Sequence, residues 1–145
     1  MASRRKARIL AVQAIYAWDM SHQELEDILS FEWLDEDKKA RYEIEILDFA
    51  KLLIIGTIEQ IDSIDDLIKN HLQHWAFERL RKVDLAILRV GTYSLIYQQD
   101  VPAQISIDEA IEIAKEYGSD DSYRFINGVL DGIRKDFFGE FHDSN

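Results

Sequence analysis

Apolar side chains recur at helical spacing along almost the whole chain, and no segment shows the strict alternation of a half-buried β-strand. The first helix is predicted to run from Ser3, its N-cap, to about Asp19. Arg5 and Tyr16 are about three turns apart and therefore share one face of this helix, which combines a base with an aromatic ring. The predicted core face clusters on another side and comprises Ala7, Leu10, Ala11, Ala14, Ile15 and Trp18.

The later helices are predicted from polar caps that precede apolar periodicity. Four of them follow in order: a second opened by the capping box Ser21 and Glu24, a third from the acidic cluster at Asp35 to about Ile61, a fourth capped by Asp62 or Ser63, and a fifth from about Glu78 to Gln98. Two more complete the chain: a sixth opened by the capping box Ser106 and Glu109 and ended by Gly118, and a seventh capped by Asp120 or Asp121. We therefore expect an all-α fold of seven helices in one domain, residues 1–145.

The last predicted helix carries two glycines beside its apolar face. Phe125, Gly128 and Gly132 lie on one strip at i, i+3 and i+7 spacing. Each interior glycine costs about 1 kcal/mol relative to alanine, so we expect something to approach this strip closely. Either another helix packs there, or a ligand lies over bare backbone with Phe125 as a stacking platform. The neighbouring core face comprises Ile126, Val129, Leu130, Ile133 and Phe137.

Composition excludes several classes of protein. The chain has no cysteine, so it has no disulfide, thiol nucleophile or cysteine zinc site. The branched-aliphatic run from Leu52 to Ile55 is too short to cross a bilayer, and the basic N-terminus lacks the apolar core of a secretory signal. We expect a cytoplasmic protein that does not associate with membranes.

Enzymatic chemistry has no support in the sequence. His71 and His74 are three residues apart, but no third ligand follows at metal spacing, so we expect no metal site. The chain has no glycine-rich phosphate loop, no zinc-protease helix motif and no nucleophile elbow. We expect a non-enzymatic protein without a cofactor.

The charge distribution favours a local nucleic-acid site. The net charge is −11, but the first eighteen residues contain four bases and no acid. We interpret residues 1–8 as a basic, flexible N-terminal arm whose Arg4, Arg5, Lys6 and Arg8 contact phosphates. The acidic body would repel non-specific contact. Alternatively, these bases form a solvated terminus.

Three further side chains suit base recognition. Tyr16 could stack a base, or it could pack against a second helix. Asp121 lies one helical turn before Phe125, where a carboxylate could accept a hydrogen bond from a base amine while the ring stacks. Taken alone, Asp121 is most simply an N-cap.

Three segments of the chain resemble the NusB (N-utilisation substance B) family. They are RRKARILAVQAIYAWD at 4–19, WAFERLRKVDLAILRVGTYSL at 75–95 and DVPAQISIDEAIEIAKEYGSDDSYRFINGVLD at 100–131. Together they cover roughly half the chain, and the last is the most specific. The chain departs from the family at Leu85, where Arg is frequent, and at Ser94, where Glu is frequent. These departures concern local partner contacts.

The resemblance implies an all-α fold of two three-helix sub-bundles and a non-enzymatic role. Members of the family pair with the ribosomal small-subunit protein also called NusE, and the pair binds the boxA element of nascent RNA. With other Nus factors, the complex makes RNA polymerase resistant to termination, chiefly on ribosomal RNA operons.

The resemblance also assigns roles to matching residues. For NusE, we expect contacts on the fourth and fifth helices, with Glu78 and Asp84 as candidates. The RNA-binding roles fall on Arg4, Arg5 and Lys6 as the basic start, Tyr16 as the aromatic residue of the first helix, and Asp121 with Phe125 as the acid and aromatic residue of the last motif.

Two alternatives come from other classes. A similar domain forms the N-terminal part of certain ribosomal RNA cytosine methyltransferases. This chain ends at Asn145 without room for a catalytic domain, so that alternative requires a piece of a longer protein. The other alternative is a helical protein-interaction module without an RNA function.

Overall fold

The computed structural model describes residues 2–72 and 76–139, and within these ranges every regular element is helical. The predicted all-α fold is therefore confirmed. His74, one of the two histidines weighed as a metal ligand, lies outside the described residues. The elements are α1 (Ala2–Ser21), α2 (Leu25–Leu29), α3 (Glu36–Ala40), α4 (Ile44–Glu59), α5 (Ile61–Lys69), a 3₁₀ turn (Phe77–Arg79), α6 (Lys82–Tyr97), α7 (Ala103–Tyr117) and α8 (Ser122–Phe138).

Helix α6 is the centre of the fold. It packs against α1, α4 and α5 on one side and against α7 and α8 on the other. Every residue from Asp84 to Thr92 is buried, as expected for a helix that is surrounded on all sides. Gly91 permits this packing, because a Cβ there would lie 3.2 Å from Leu130 Cδ1 of α8. Helices α6, α7 and α8 thus form one mutually packed group, and α1, α4 and α6 form another.

The single third helix predicted from Asp35 to Ile61 is wrong, since this segment forms the separate helices α3 and α4. Asp35 does cap α3, where its carboxylate accepts a hydrogen bond from the Lys38 N–H at 2.8 Å. Helix α3 buries no residue, and the extended Glu43 then precedes α4 as its N-cap residue. The split arises because the buried face begins only at Ile46, so only the second part docks on α1. The structure therefore has eight α-helices in its described part instead of seven.

Both predicted capping boxes are also wrong. Ser21 is the last residue of α1, and its hydroxyl donates a hydrogen bond to the Ala17 carbonyl at 2.6 Å. Helix α7 begins at Ala103, directly after Pro102, so Ser106 is buried in its second turn. Helix α6 begins at Lys82, four residues later than predicted, because the chain first forms the 3₁₀ turn.

Helix α8 largely follows its prediction. Ile126, Val129, Leu130 and Ile133 are buried, but the expected core residue Phe137 is 48% exposed and packs edge-on against Phe138. The two glycines differ. A Cβ at Gly132 would lie 2.8 Å from His71 Cδ2 just beyond α5, whereas a Cβ at Gly128 would meet nothing within 4 Å. The close approach expected along this strip therefore occurs at Gly132 and comes from within the protein.

Two functional classes can be compared with the structure directly. Among the described residues, no group of three or more histidine and acidic side chains is arranged to hold a metal ion. None of the helices in residues 2–72 and 76–139 has the length and apolar character needed to cross a membrane.

Candidate nucleic-acid interface

The predicted basic residues lie on a helix, not on a flexible arm, because α1 already begins at Ala2. Arg4, Arg5 and Lys6 are exposed on its first turns. The Arg4 guanidinium lies 5.4 Å from the centre of the Phe49 ring of α4, which restricts its position without neutralising its charge. We call Arg4, Arg5 and Lys6 the basic patch.

Arg5 is held by an ion pair with α7. Its Nε and Nη2 atoms donate hydrogen bonds to the two carboxylate oxygens of Glu109, at 3.0 and 2.7 Å. This pairing raises the pKa of Arg5 and lowers the pKa of Glu109. The side chain of Arg5 is still 47% exposed, whereas that of Glu109 is 17% exposed.

Arg8, which was also predicted to contact phosphates, does not belong to the exposed basic patch. Its side chain is only 6% exposed, and Nη1 lies 3.9 Å from Glu109 Oε1. Burial lowers the pKa of Arg8. The signal was present in the sequence, because Arg8, Val12 and Ile15 share one face at i, i+4 and i+7, and the two aliphatic residues are buried.

Tyr16 lies further along α1 and is 37% exposed. The Tyr16 side chain is therefore partly accessible at the surface of α1. The chain thus presents bases at the start of α1 and an aromatic ring near its end.

The second group of predicted residues meets in one cavity of about 290 Å³, which we call the α8 cavity. Phe125 is half-buried and packs against the core while it lines this cavity. Asp121 lies on the rim, with its side chain 90% exposed and 3.6 Å from Arg124. The full lining consists of Arg79, Leu80, Arg81, Asp84, Ser119, Asp121, Ser122 and Phe125.

Asp121 occupies the N-cap position of α8, but its side chain makes no capping hydrogen bond. The neighbouring Ser122 makes the local bonds instead, since its Oγ accepts a hydrogen bond from the Ser119 N–H at 2.9 Å. Gly118 allows this arrangement, because a Cβ there would lie 2.6 Å from Ser122 Cβ. Asp121 is therefore the N-cap residue by position, as predicted, but its carboxylate faces solvent and makes no capping hydrogen bond.

The two candidate partner contacts differ in exposure. Glu78 lies in the 3₁₀ turn and is exposed. Asp84 is only 7% exposed in the first turn of α6, so a partner can reach it only through the α8 cavity that it lines.

The two arginines of the cavity were missed by the sequence analysis. Arg79, the last residue of the 3₁₀ turn, and Arg81, directly before α6, flank the buried Leu80, and both line the cavity. The alternation of two arginines around one apolar residue was the sequence signal that could have identified them. The cavity therefore combines guanidinium donors, a stacking ring and carboxylate acceptors, which suits an unpaired nucleotide.

Comparison with known families decides the identity. The family model described as "NusB family" matches residues 5–135 of the chain. The chain belongs to the NusB family. Its members are transcription antitermination proteins, not enzymes, so the predicted role in transcription antitermination is confirmed.

Individual NusB relatives agree with this assignment. A transcription antitermination protein NusB from Treponema denticola is 50% identical over 136 residues, which cover 90% of this chain and 95% of the relative. A NusB from Treponema pallidum (strain Nichols) is 47% identical over 132 residues, covering 91% of this chain and 92% of the relative.

Solved structures extend the likeness to three dimensions. NusB of T. maritima superimposes with a TM-score of 0.80 at 41% identity and covers 91% of this chain and 90% of its own. Antitermination factors NusB and NusE have been crystallised in complex with double-stranded RNA. The NusB-like chain of that complex gives a TM-score of 0.83 at 26% identity, covering 94% of this chain and 98% of its own.

Proposed function

We propose that this NusB-family chain pairs with NusE and binds the boxA element of nascent RNA in the bacterial cytoplasm. The complex, with other Nus factors, makes RNA polymerase resistant to termination, chiefly on ribosomal RNA operons. The observation that carries the proposal is the α8 cavity, which brings Phe125, Asp121 and two arginines together. The crystallised complex of a homologue with NusE and RNA supports the choice of partners.

The proposed roles follow from exposure and chemistry. The basic patch contacts phosphates, which positions the RNA without reading its sequence. Phe125 stacks a base, and the solvent-facing carboxylate of Asp121 accepts from a base amine. Tyr16 offers a further stacking surface on α1. For NusE, the exposed Glu78 is the accessible contact, whereas the buried Asp84 lines the cavity that we assign to the RNA.

The test is a titration of a boxA-type RNA and a scrambled RNA of equal length with the purified chain, with and without NusE. We expect weak binding by the chain alone, and stronger, boxA-selective binding when NusE is present. If NusE binds but boxA is never preferred over the scrambled sequence, the chain is a protein-interaction module and the proposal is wrong.

A further inference from the structure

The Arg5–Glu109 pair uses the edge of the guanidinium group that phosphates prefer. Nε and Nη2 both donate to the Glu109 carboxylate, at 3.0 and 2.7 Å. A phosphate accepts the same two parallel hydrogen bonds in the same fork geometry. RNA therefore cannot use the Nε–Nη2 edge of Arg5 while Glu109 holds it, and it meets a guanidinium whose charge is already paired.

This pair differs from a second bidentate pair among the described residues. Arg89 donates to both carboxylate oxygens of Asp65 at 2.9 Å, but its side chain is 7% exposed and lies beneath the Trp18 and Phe77 rings. That pair is part of the packed interior. The Arg5 side chain, at 47% exposure, is within reach of an external anion.

We propose that Glu109 is a specificity-determining residue of the RNA site, whose carboxylate occupies Arg5 until an RNA with enough additional contacts displaces it. This inference rests on the proposed function of the basic patch. A non-specific polyanion gains little from Arg5, because one charge-assisted fork merely replaces another. An RNA that also fills the α8 cavity gains the further interactions needed for the exchange.

Glu109 has a second partner when Arg5 leaves it. Arg8 Nη1 lies 3.9 Å from Glu109 Oε1, and Nε and Nη2 of Arg8 have no hydrogen-bond partner among the described residues. A small shift of the carboxylate toward Arg8 would strengthen that contact. The displaced Glu109 is therefore not left as an isolated, largely buried charge, which keeps the exchange accessible.

The decisive variant is Glu109→Gln, with Glu116→Gln as the matched control. Both remove one negative charge from α7, but Glu116 acts on Arg5 only through space and makes no hydrogen bond to it. Affinities for boxA-type and scrambled RNA are measured by fluorescence anisotropy at several salt concentrations, with NusE present. The double variant Arg5→Ala/Glu109→Gln tests whether the effect passes through Arg5.

For Glu109→Gln we expect scrambled RNA to bind roughly three- to tenfold more tightly, as expected for release of one ion-paired arginine. BoxA-type RNA should gain less, so discrimination falls. The slope of log K against log salt should steepen by about 0.7, the value for one more neutralised phosphate on a single strand. Glu116→Gln should change the affinity for either RNA less than about twofold. The double variant should not show the increased affinity for scrambled RNA that Glu109→Gln alone shows.

Three results would overturn the inference: weaker binding of both RNAs by Glu109→Gln, equal effects of Glu109→Gln and Glu116→Gln, or a gain that persists in the double variant. If Glu109→Gln unfolds, Glu109→Asp replaces it, since it keeps a charge near Arg8 but is one methylene too short for the fork. That variant should also bind scrambled RNA more tightly, and an unchanged affinity would contradict the inference. If the unmodified chain does not prefer boxA-type RNA, the proposed function is refuted instead. The effect of Glu109→Gln on the affinity for scrambled RNA can be measured whether or not that preference exists.

Discussion

At the scale of single residues, Asp121 and Phe125 lie in the same cavity but differ in how much the fold depends on them. Asp121 has a side chain that is 90% exposed and does not cap α8. Phe125 is half-buried and packs against the core. Substitution of Asp121 should therefore change RNA binding with little effect on stability, whereas substitution of Phe125 should change both.

Replacing Phe125 by alanine should affect both properties. Loss of a stacking ring should cost about 1–3 kcal/mol of RNA binding. Loss of a half-buried ring should cost roughly 2 kcal/mol of unfolding free energy, about half the value for a fully buried phenylalanine. RNA titration and urea unfolding measure the two effects. Phe137→Ala, on the exposed end of the same helix, is the control and should leave RNA affinity unchanged. A stability loss without an affinity loss would assign Phe125 to the core alone.

Asp121→Asn should leave the melting temperature near that of the unmodified chain, because no capping hydrogen bond is lost. The substitution removes a negative charge near the RNA and adds an amide donor. We expect equal or tighter RNA binding and weaker discrimination against scrambled RNA. A large fall in melting temperature with unchanged selectivity would remove Asp121 from the site.

At the scale of helices, periodicity predicted α1, α5 and the core face of α8, but local sequence could not locate every helix end. The split between α3 and α4 depends on where the buried face begins, which only docking on α1 decides. The capping boxes failed for a related reason. Hydroxyl and acidic residues at i, i+3 spacing also occur inside helices, where tertiary packing determines their surroundings.

For the candidate site, too, the sequence predicted local features but not contacts between distant helices. The sequence alone predicted the basic, acidic and aromatic candidates from their residue types at the starts of helices. These are Arg4, Arg5, Lys6, Asp121 and Phe125. The pairing of Arg5 with Glu109 was not, because these residues are 104 positions apart in the chain. Contacts of this kind are set by the packing of helices, and periodicity carries no information about them.

At the scale of the whole molecule, the basic patch is the positive region of a chain whose net charge is −11. Because Arg8 is buried and Arg5 is paired, we expect the chain alone to neutralise two or three phosphates. The slope of log K against log salt should then be about −1.5 to −2. Titrations over a range of salt concentrations measure this slope, and a flat response would exclude the basic patch as the anchor.

The same titrations distinguish the bases of α1. Arg4, Arg5 and Lys6 changed together to alanine should weaken the binding of both RNAs and flatten the slope. The loss should be larger for boxA-type RNA, which displaces Glu109 from Arg5. Arg8→Met is the control that removes the buried base of α1, and it should leave the slope for scrambled RNA unchanged, because scrambled RNA does not displace Glu109 from Arg5. Loss of selectivity with retained affinity in the triple variant would reverse the assignment of roles.

The arrangement of Gly118, Ser119 and Ser122 has a consequence for how this surface can diversify. Ser122 accepts the local hydrogen bond, and Gly118 provides the space for it. The side chain of residue 121 therefore contributes little to the stability of the start of α8. A position whose side chain contributes little to stability can accept many substitutions while the protein still folds. Substitutions at 121 can therefore be sampled for altered RNA preference, while residues 118 and 122 are constrained by the fold.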